Sequence, residues 1–166
     1  MALPLRISVL DASFNPPTLA HLALANAPCP YPIVSASATA RDVHDYDAKL
    51  LLLSVRNADK HLKPGDAGYI QRLEMMTLLA KDIIRARIRD DHTSDLDAPA
   101  VPHDNVAVAI IDEPTFVGKS RALLQYLRQR VSFLVHSSPV ALQSQGMPDA
   151  MPDHVTPQLT FLLGYA

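Results

Sequence analysis

The stretch that decides the fold is Leu5-Arg6-Ile7-Ser8-Val9-Leu10-Asp11-Ala12-Ser13-Phe14-Asn15-Pro16-Pro17-Thr18-Leu19-Ala20-His21-Leu22. Leu5 to Leu10 is a short apolar run that mixes β-branched Ile7 and Val9 with leucines. It reads as a strand buried on both faces rather than an amphipathic one. A turn cluster follows at once, with Asp11, Ser13, Asn15 and Pro16. Pro17 is expected in the first helical turn, where its missing N–H costs nothing. Thr18 to Ala27 supplies helix formers until Pro28 stops them. The expected product is a strand, a tight loop and a helix whose N-terminus points back at the loop. Such a terminus carries unpaired N–H groups and a partial positive charge, which suits a phosphate.

Thr18 and His21 are three residues apart in that first turn and so share a face. Both would project toward an anion held by the loop. The imidazole donates one or two hydrogen bonds to phosphate oxygens and the hydroxyl donates one. The plainer reading makes Thr18 a helix cap and His21 a half-buried surface residue. Spacing alone leaves the two readings open.

Ser13-Phe14-Asn15-Pro16-Pro17-Thr18-Leu19-Ala20-His21 resembles the signature of the nucleotidylyltransferase superfamily, Gly-Ser-Phe-Asn-Pro followed by a Thr/His-x-x-His element. Within it the chain looks most like the eukaryotic nicotinamide mononucleotide adenylyltransferases, in particular a fungal branch of short, divergent members. The resemblance implies an α/β, Rossmann-like, doubly wound parallel sheet whose first strand, loop and helix hold the ATP phosphates. Ala12 stands where the family has its first glycine. One added methyl narrows the approach of a nucleotide without blocking it.

With 166 residues the chain has the size of one domain, 1–166, and length enough for a real core. It is 48% apolar and 19% charged, which is globular rather than disordered. A net charge of -2 gives no basic field for nucleic acid, and the absence of Trp speaks against a base-stacking platform. The single cysteine, Cys29, excludes an internal disulfide or a cysteine metal cage and fits a reducing compartment, cytoplasm or nucleus. The N-terminal residues show no signal peptide, and no stretch has membrane-spanning length.

Residues 27–47 form a Pro-rich connection. Lys49 to Val55 is the second strand, apolar on both faces. Arg56, Asn57, Ala58, Asp59 and Lys60 follow it directly. Ligands of open α/β sheets gather at the carboxyl ends of strands, so Asn57, Asp59 and Lys60 fall near Thr18 and His21 if the strands are neighbours. The family carries a lysine in this loop, and the resemblance gives Lys60 a contact with a substrate phosphate. Ala67 to Arg89 reads as a helix with Ile70, Leu73, Met76 or Thr77, Ala80, Ile83 or Ile84 and Arg87 on one face. Met75 and Met76 are core filler. Arg72 matches a family arginine and reads as structural support.

Asp90 to Asp104 carries five aspartates with His92 and His103, and its spacing follows no metal-ligand scheme. It reads as a solvated loop. Val106 to Ile111 is the third strand. Gly118-Lys119-Ser120 before a helix invites a P-loop reading, but that motif needs a glycine where Glu113 stands. The P-loop is rejected, and Arg121 to Arg130 reads as the third helix. The resemblance gives Val117 and its turn a part in orienting the nicotinamide nucleotide. Val131 to Val135 is either the end of that unit or a short strand, and residues 136–157 read as an irregular loop. Gln158 to Tyr165 is the last strand, like the family strand ending in Gly-x-Asp. The chain stops at Ala166, in the aspartate's place, and a later Ser/Thr-x-x-Arg clamp is missing. The expectation is therefore a domain incomplete at its C-terminus.

For a complete relative the implied chemistry is adenylyl transfer from ATP, with its Mg²⁺, to nicotinamide mononucleotide, giving NAD and pyrophosphate. The resemblance assigns catalysis to His21, Thr18 and Lys60. It assigns nucleotide binding to Ala12, Ser13, Phe14, Asn15, His21, Asn57, Lys60 and Gly164, with no tightly bound cofactor or metal. The expected partners are ATP, nicotinamide mononucleotide and NAD, with activity weakened or lost by the truncation. Two alternatives stay open. One is a non-catalytic nucleotide-binding or interaction module that forms a homo-oligomer through the bare edge of its C-terminal strand. The other is a nucleotidylyltransferase for a different phosphate acceptor.

Overall fold

The computed structural model describes residues 4–30, 45–56, 63–92, 105–137 and 155–163. The elements run β1 (Pro4–Asp11), α1 (Leu19–Ala25), β2 (Ala48–Ser54), α2 (Tyr69–His92), β3 (Val106–Ile111), α3 (Phe116–Ser137) and β4 (Thr156–Leu162). Four strands form one sheet in the order β3-β2-β1-β4, and every pairing is parallel. The fold is therefore α/β.

Parallel neighbours need crossover connections, and those are right-handed. The steps from β1 to β2 to β3 move across the sheet in one direction. The step from β3 to β4 returns past β1 in the other, which sends its helix to the opposite face. Packing follows that rule. Leu10, Leu51 and Leu53 meet Ala25 of α1 and Met76, Leu79, Ala80 and Ile83 of α2. Val9 and Leu52 meet Leu123 of α3 on the other side. The apolar residues on both faces of β1 and β2 are what a sheet covered on both faces requires. Leu51, Leu52 and Leu53 are all essentially inaccessible to solvent.

Several element boundaries differ from the sequence reading, among them α2, which runs on to His92 into the expected loop, and β4, which begins at Thr156 rather than Gln158. The first helix begins at Leu19 with Thr18 as its N-cap, so Pro17 precedes the helix rather than opening it. The second helix begins at Tyr69, whose hydroxyl donates to the carbonyl of Val55 at the end of β2 (2.8 Å). That anchor turns the stripe toward Tyr69, Arg72, Leu73, Met76 and Ile83, and leaves Ile70 75% exposed. The third helix is longer than Arg121 to Arg130 at both ends. Thr115 accepts the Gly118 N–H at 3.1 Å, which starts the helix at Phe116. Val131 to Val135 continues the same helix and is not a strand.

β4 runs from Thr156 and includes Pro157, opposite Leu5 of β1. Proline is tolerated there because β4 is an edge strand, where a missing N–H need not break a ladder. Among the described residues no helix is long and apolar enough to cross a membrane.

The amino half of the sheet carries buried charge. The Arg6 guanidinium and backbone N–H both donate to Asp47, at 2.7 to 3.3 Å, in a forked pair across the starts of β1 and β2. Lys49, 3% exposed, donates to the carbonyl of Ala25 (2.8 Å) and pairs with Asp45 (3.2 Å). It thereby satisfies a carbonyl at the end of α1, where the helix dipole favours a cation. Burial pushes its ammonium down from 10.5 to about 8. A lysine that gives up its proton more readily folded than unfolded adds stability as pH rises through that interval. The expected outcome is that the wild-type chain gains on Lys49→Met between pH 8 and 10.5, by no more than ~1.4 kcal/mol per pH unit. Urea denaturation of both proteins at several pH values measures the difference, and a gap that does not change with pH contradicts the assignment.

Candidate functional site

The order β3-β2-β1-β4 puts a topological switch between β1 and β4: the helix that follows β1 covers one face and the helix that precedes β4 covers the other. The crevice outside the carboxyl ends of two such strands is where open α/β sheets bind ligands. Leu10 lies in register with Leu162, so the ends of β1 and β4 are side by side.

The loop after β1 is shaped by Phe14. Its ring is fully buried in the core that α1 and α2 cover. Its backbone is left-handed, at φ 47°, a strained conformation for a bulky residue that the ring's burial offsets. The Asn15–Pro16 peptide is cis. Asn15 donates to Asp66 (2.9 Å) and accepts the Ala67 N–H (3.2 Å). Arg72, 6% exposed, donates to the carbonyls of Ala67 (2.7 Å) and Ser13 (3.4 Å). The 63–72 turn thus lashes the loop in place, and the structural role read for Arg72 is what its hydrogen bonds show. Phe14 and Asn15 spend their side chains on these contacts, so only their backbone groups remain for a ligand.

Thr18 and His21 are brought together as their spacing requires. The ring Nδ1 accepts the Thr18 N–H at 3.0 Å and lies 2.8 Å from the Thr18 hydroxyl oxygen. A backbone N–H can only donate, so Nδ1 is the acceptor and the proton sits on Nε2. The ring also lies against Phe14, with centroids 5.2 Å apart. Burial holds the His21 pKa below its ordinary value of 6.5, favouring the neutral imidazole. The capping reading is therefore correct for Nδ1, while Nε2–H remains a donor.

The sequence reading missed Asp11 and Lys119. Lys119, in the first turns of α3, reaches the end of β1 and pairs with Asp11 at 2.5 Å, both side chains being more than 90% buried. Ser54 of β2 donates to the other Asp11 oxygen (3.1 Å). A charged residue closing an apolar strand was the available signal for Asp11. Gly118 and Lys119 belong to the helix and not to a phosphate loop, in keeping with the rejected P-loop. A side chain at Gly118 would run into the Glu113 side chain, which would have to swing aside. Arg56 pairs with Asp112 across the ends of β2 and β3, an exposed contact that contributes little.

Beside the switch point, Phe116, Val117, Ser120, Arg121, Phe161 and Leu163 line an open cleft of about 410 Å³. Phe116 and Phe161 meet edge to face, with centroids 5.6 Å apart. Asn57, Lys60 and Gly164, with Asp59 and His103, lie outside the described residues. Among the described residues no group of three acidic, histidine or cysteine side chains could hold a metal.

No family model, curated protein or solved structure matches the chain. The site's chemistry therefore rests on its own geometry. The expected outcome for His21 is an Nε2–H tautomer that titrates below 6.5. Long-range ¹H–¹⁵N spectra of the imidazole across pH 4 to 8 (about the range of a histidine) check it. A ring protonated on Nδ1 at neutral pH contradicts the hydrogen bond from Thr18.

Proposed function

We propose that the protein is a nucleotide-binding protein of nucleotidylyltransferase type, transferring AMP from ATP to nicotinamide mononucleotide. The observation that carries this reading is the His21 ring, locked through Nδ1 by Thr18 at the carboxyl end of β1, with Nε2–H left to donate. The signature Ser13-Phe14-Asn15-Pro16-Pro17-Thr18-x-x-His21 supports it from the sequence, and the switch between β1 and β4 supports it from the topology.

In the proposed reaction a phosphate oxygen of the mononucleotide attacks the α-phosphorus of ATP. The new P–O bond forms as the bond to pyrophosphate breaks. The attacking group belongs to the substrate, so the protein's part is positioning and charge stabilisation. The pinned loop keeps its shape without ligand, and His21 donates to a phosphate oxygen. Lys60 and Asn57 are the proposed partners from the β2 loop. The described residues do not build a Mg²⁺ site: Asp11, the carboxylate at the end of β1, is already taken by Lys119 and Ser54. Mg²⁺ enters this reading only as the ion that accompanies ATP.

Isothermal titration with ATP, nicotinamide mononucleotide and NAD tests the reading. Binding at or below millimolar concentration is expected, with His21→Ala weakening ATP by about tenfold, the range of a charge-assisted hydrogen bond. No binding of any of the three sinks it.

A second reading is favoured by one observation. Among the described residues β4 pairs with β1 alone, and the preceding helix α3 exposes Tyr126, Phe133 and Leu134. An apolar edge of this kind recruits another chain. Light scattering coupled to size exclusion is expected to give a dimer if that reading holds, and a strict monomer removes it.

A further inference from the structure

The third helix differs in charge from the rest of the chain. Phe116–Ser137 contains no aspartate or glutamate, although the whole chain carries a net charge of -2. Its cations are Lys119, Arg121, Arg128 and Arg130. Lys119 is neutralised by Asp11 inside the fold. The three arginines are exposed, and among the described residues none of them is in an ion pair.

The far end of the same helix carries its apolar stripe past its cover. Leu123 is buried against Val9 and Leu52 of the sheet, at 8% exposure. Leu134 follows after three helical turns and so shares that face, yet it is 53% exposed. Phe133 beside it is 60% exposed, and the Arg130 guanidinium stands 5.8 Å from its ring centroid. Tyr126, two turns before Phe133 on the same flank, is 62% exposed. The helix leaves the carboxyl end of β3 and returns to the start of β4, so this end lies at the amino pole of the parallel sheet. The candidate site lies at the other pole.

An apolar tip flanked by unpaired arginines limits the partners that satisfy both. In a twofold contact a second copy sets Arg128 and Arg130 against their own images, and α3 has no carboxylate to receive them. Self-association is thereby left to the β4 edge. Nucleic acid takes the arginines but leaves Leu134 in water, and the chain as a whole has no basic field. A protein partner needs ~800 Å² on each side, more than Tyr126, Phe133 and Leu134 supply. An anionic bilayer satisfies both halves. Its acyl boundary takes apolar side chains to a depth of ~5–10 Å, and its headgroups take the guanidinium forks. Arginine stems stay with the apolar layer while the charge reaches out of it.

We propose that the carboxyl-terminal end of α3 is a peripheral membrane contact, seating Phe133 and Leu134 at the acyl boundary of an anionic lipid surface with Arg128 and Arg130 on its headgroups. Among the described residues no helix is long and apolar enough to cross a membrane, so the contact is one of attachment and not of spanning. The crevice at the carboxyl end of β1 then faces away from the lipid and stays open to solutes. Two cations and a small apolar tip make the attachment reversible and sensitive to salt. The inference is independent of the adenylyl-transfer reading.

The test is co-sedimentation of the full chain with phosphatidylcholine vesicles and with the same vesicles containing phosphatidylserine, at low and high salt. Binding is expected only with phosphatidylserine and only at low salt. Replacing both Arg128→Gln and Arg130→Gln should weaken it about 25-fold, at about fivefold for each cation near an anionic surface. Phe133→Ser should weaken it as well. These are exposed positions, and an unchanged thermal midpoint shows that the variants fold. The chain has no tryptophan, so Phe133→Trp places a single emitter at the contact, and its emission should move to shorter wavelength on the vesicles. No binding to phosphatidylserine vesicles overturns the inference. So does binding that survives the double arginine substitution, or an emission unchanged by vesicles that carry the protein down. Binding to single-stranded RNA as tight as to the vesicles and unaffected by Phe133→Ser makes the surface a polyanion site and overturns the lipid assignment.

Discussion

Strand β1 is the constraint on which everything else depends, because it is enclosed on all four sides. β2 and β4 pair with its two edges, and helices cover its two faces. Nothing at its centre can be polar without a partner, and nothing at its carboxyl end can move without disturbing both layers. Asp11 marks that end. Its carboxylate is joined to Ser54 on one neighbouring strand and to Lys119 on the helix of the far face. One residue therefore ties β1, β2 and α3 at the point where the loop begins. A buried pair of this kind gains little net stability over an apolar replacement, but breaking it by removing one partner is costly. Its effect here is geometric: it sets where the first turn of α3, and with it the Phe116 ring, comes to rest.

The loop itself is held from the other layer. Phe14 is sunk among the residues that α1 and α2 cover, and Asn15, Asp66 and Arg72 bind the loop to the turn before α2. The Asp66 carboxyl is held below its usual range, chiefly by the N–H of Lys63 and with help from Asn15 and Arg72, so it stays ionised wherever the protein is folded near neutrality. The two sides of the crevice thus have different supports. The His21 side depends on a hydrogen-bonded turn, and the Phe116 side depends on a buried ion pair. That separation is why a substitution on one side need not disturb the other.

The elements were legible where a single local signal was enough. The largely apolar runs at Leu5 to Leu10 and at Lys49 to Val55 read as strands covered twice, and prolines at 16, 17 and 28 flank the first helix. The pairing of Thr18 with His21 followed from helical spacing. Legibility failed where a side chain reaches across the fold. Phe14 looked like a loop residue available to a ligand, because its left-handed backbone and its burial follow from α2, far along the chain. Lys119 looked like a fragment of a phosphate motif, because its partner lies 108 residues away. The start of α3 was placed late because glycine at position 118 suggested a turn. In the structure it lies inside the helix beside Glu113, which spacing does not reveal.

These failures share a cause that bears on the site. Helical and strand periods report only on near neighbours, whereas a switch-point crevice is assembled from the ends of elements that the chain visits at widely separated times. Of the groups that border it, His21 and Thr18 carry a local signature. Asp11, Lys119, Phe116, Phe161 and Arg121 are ordinary residues until the crossover from β3 to β4 brings them together. The half with a local signature is built by one strand–loop–helix unit, and the half without one by whatever β4 and α3 present.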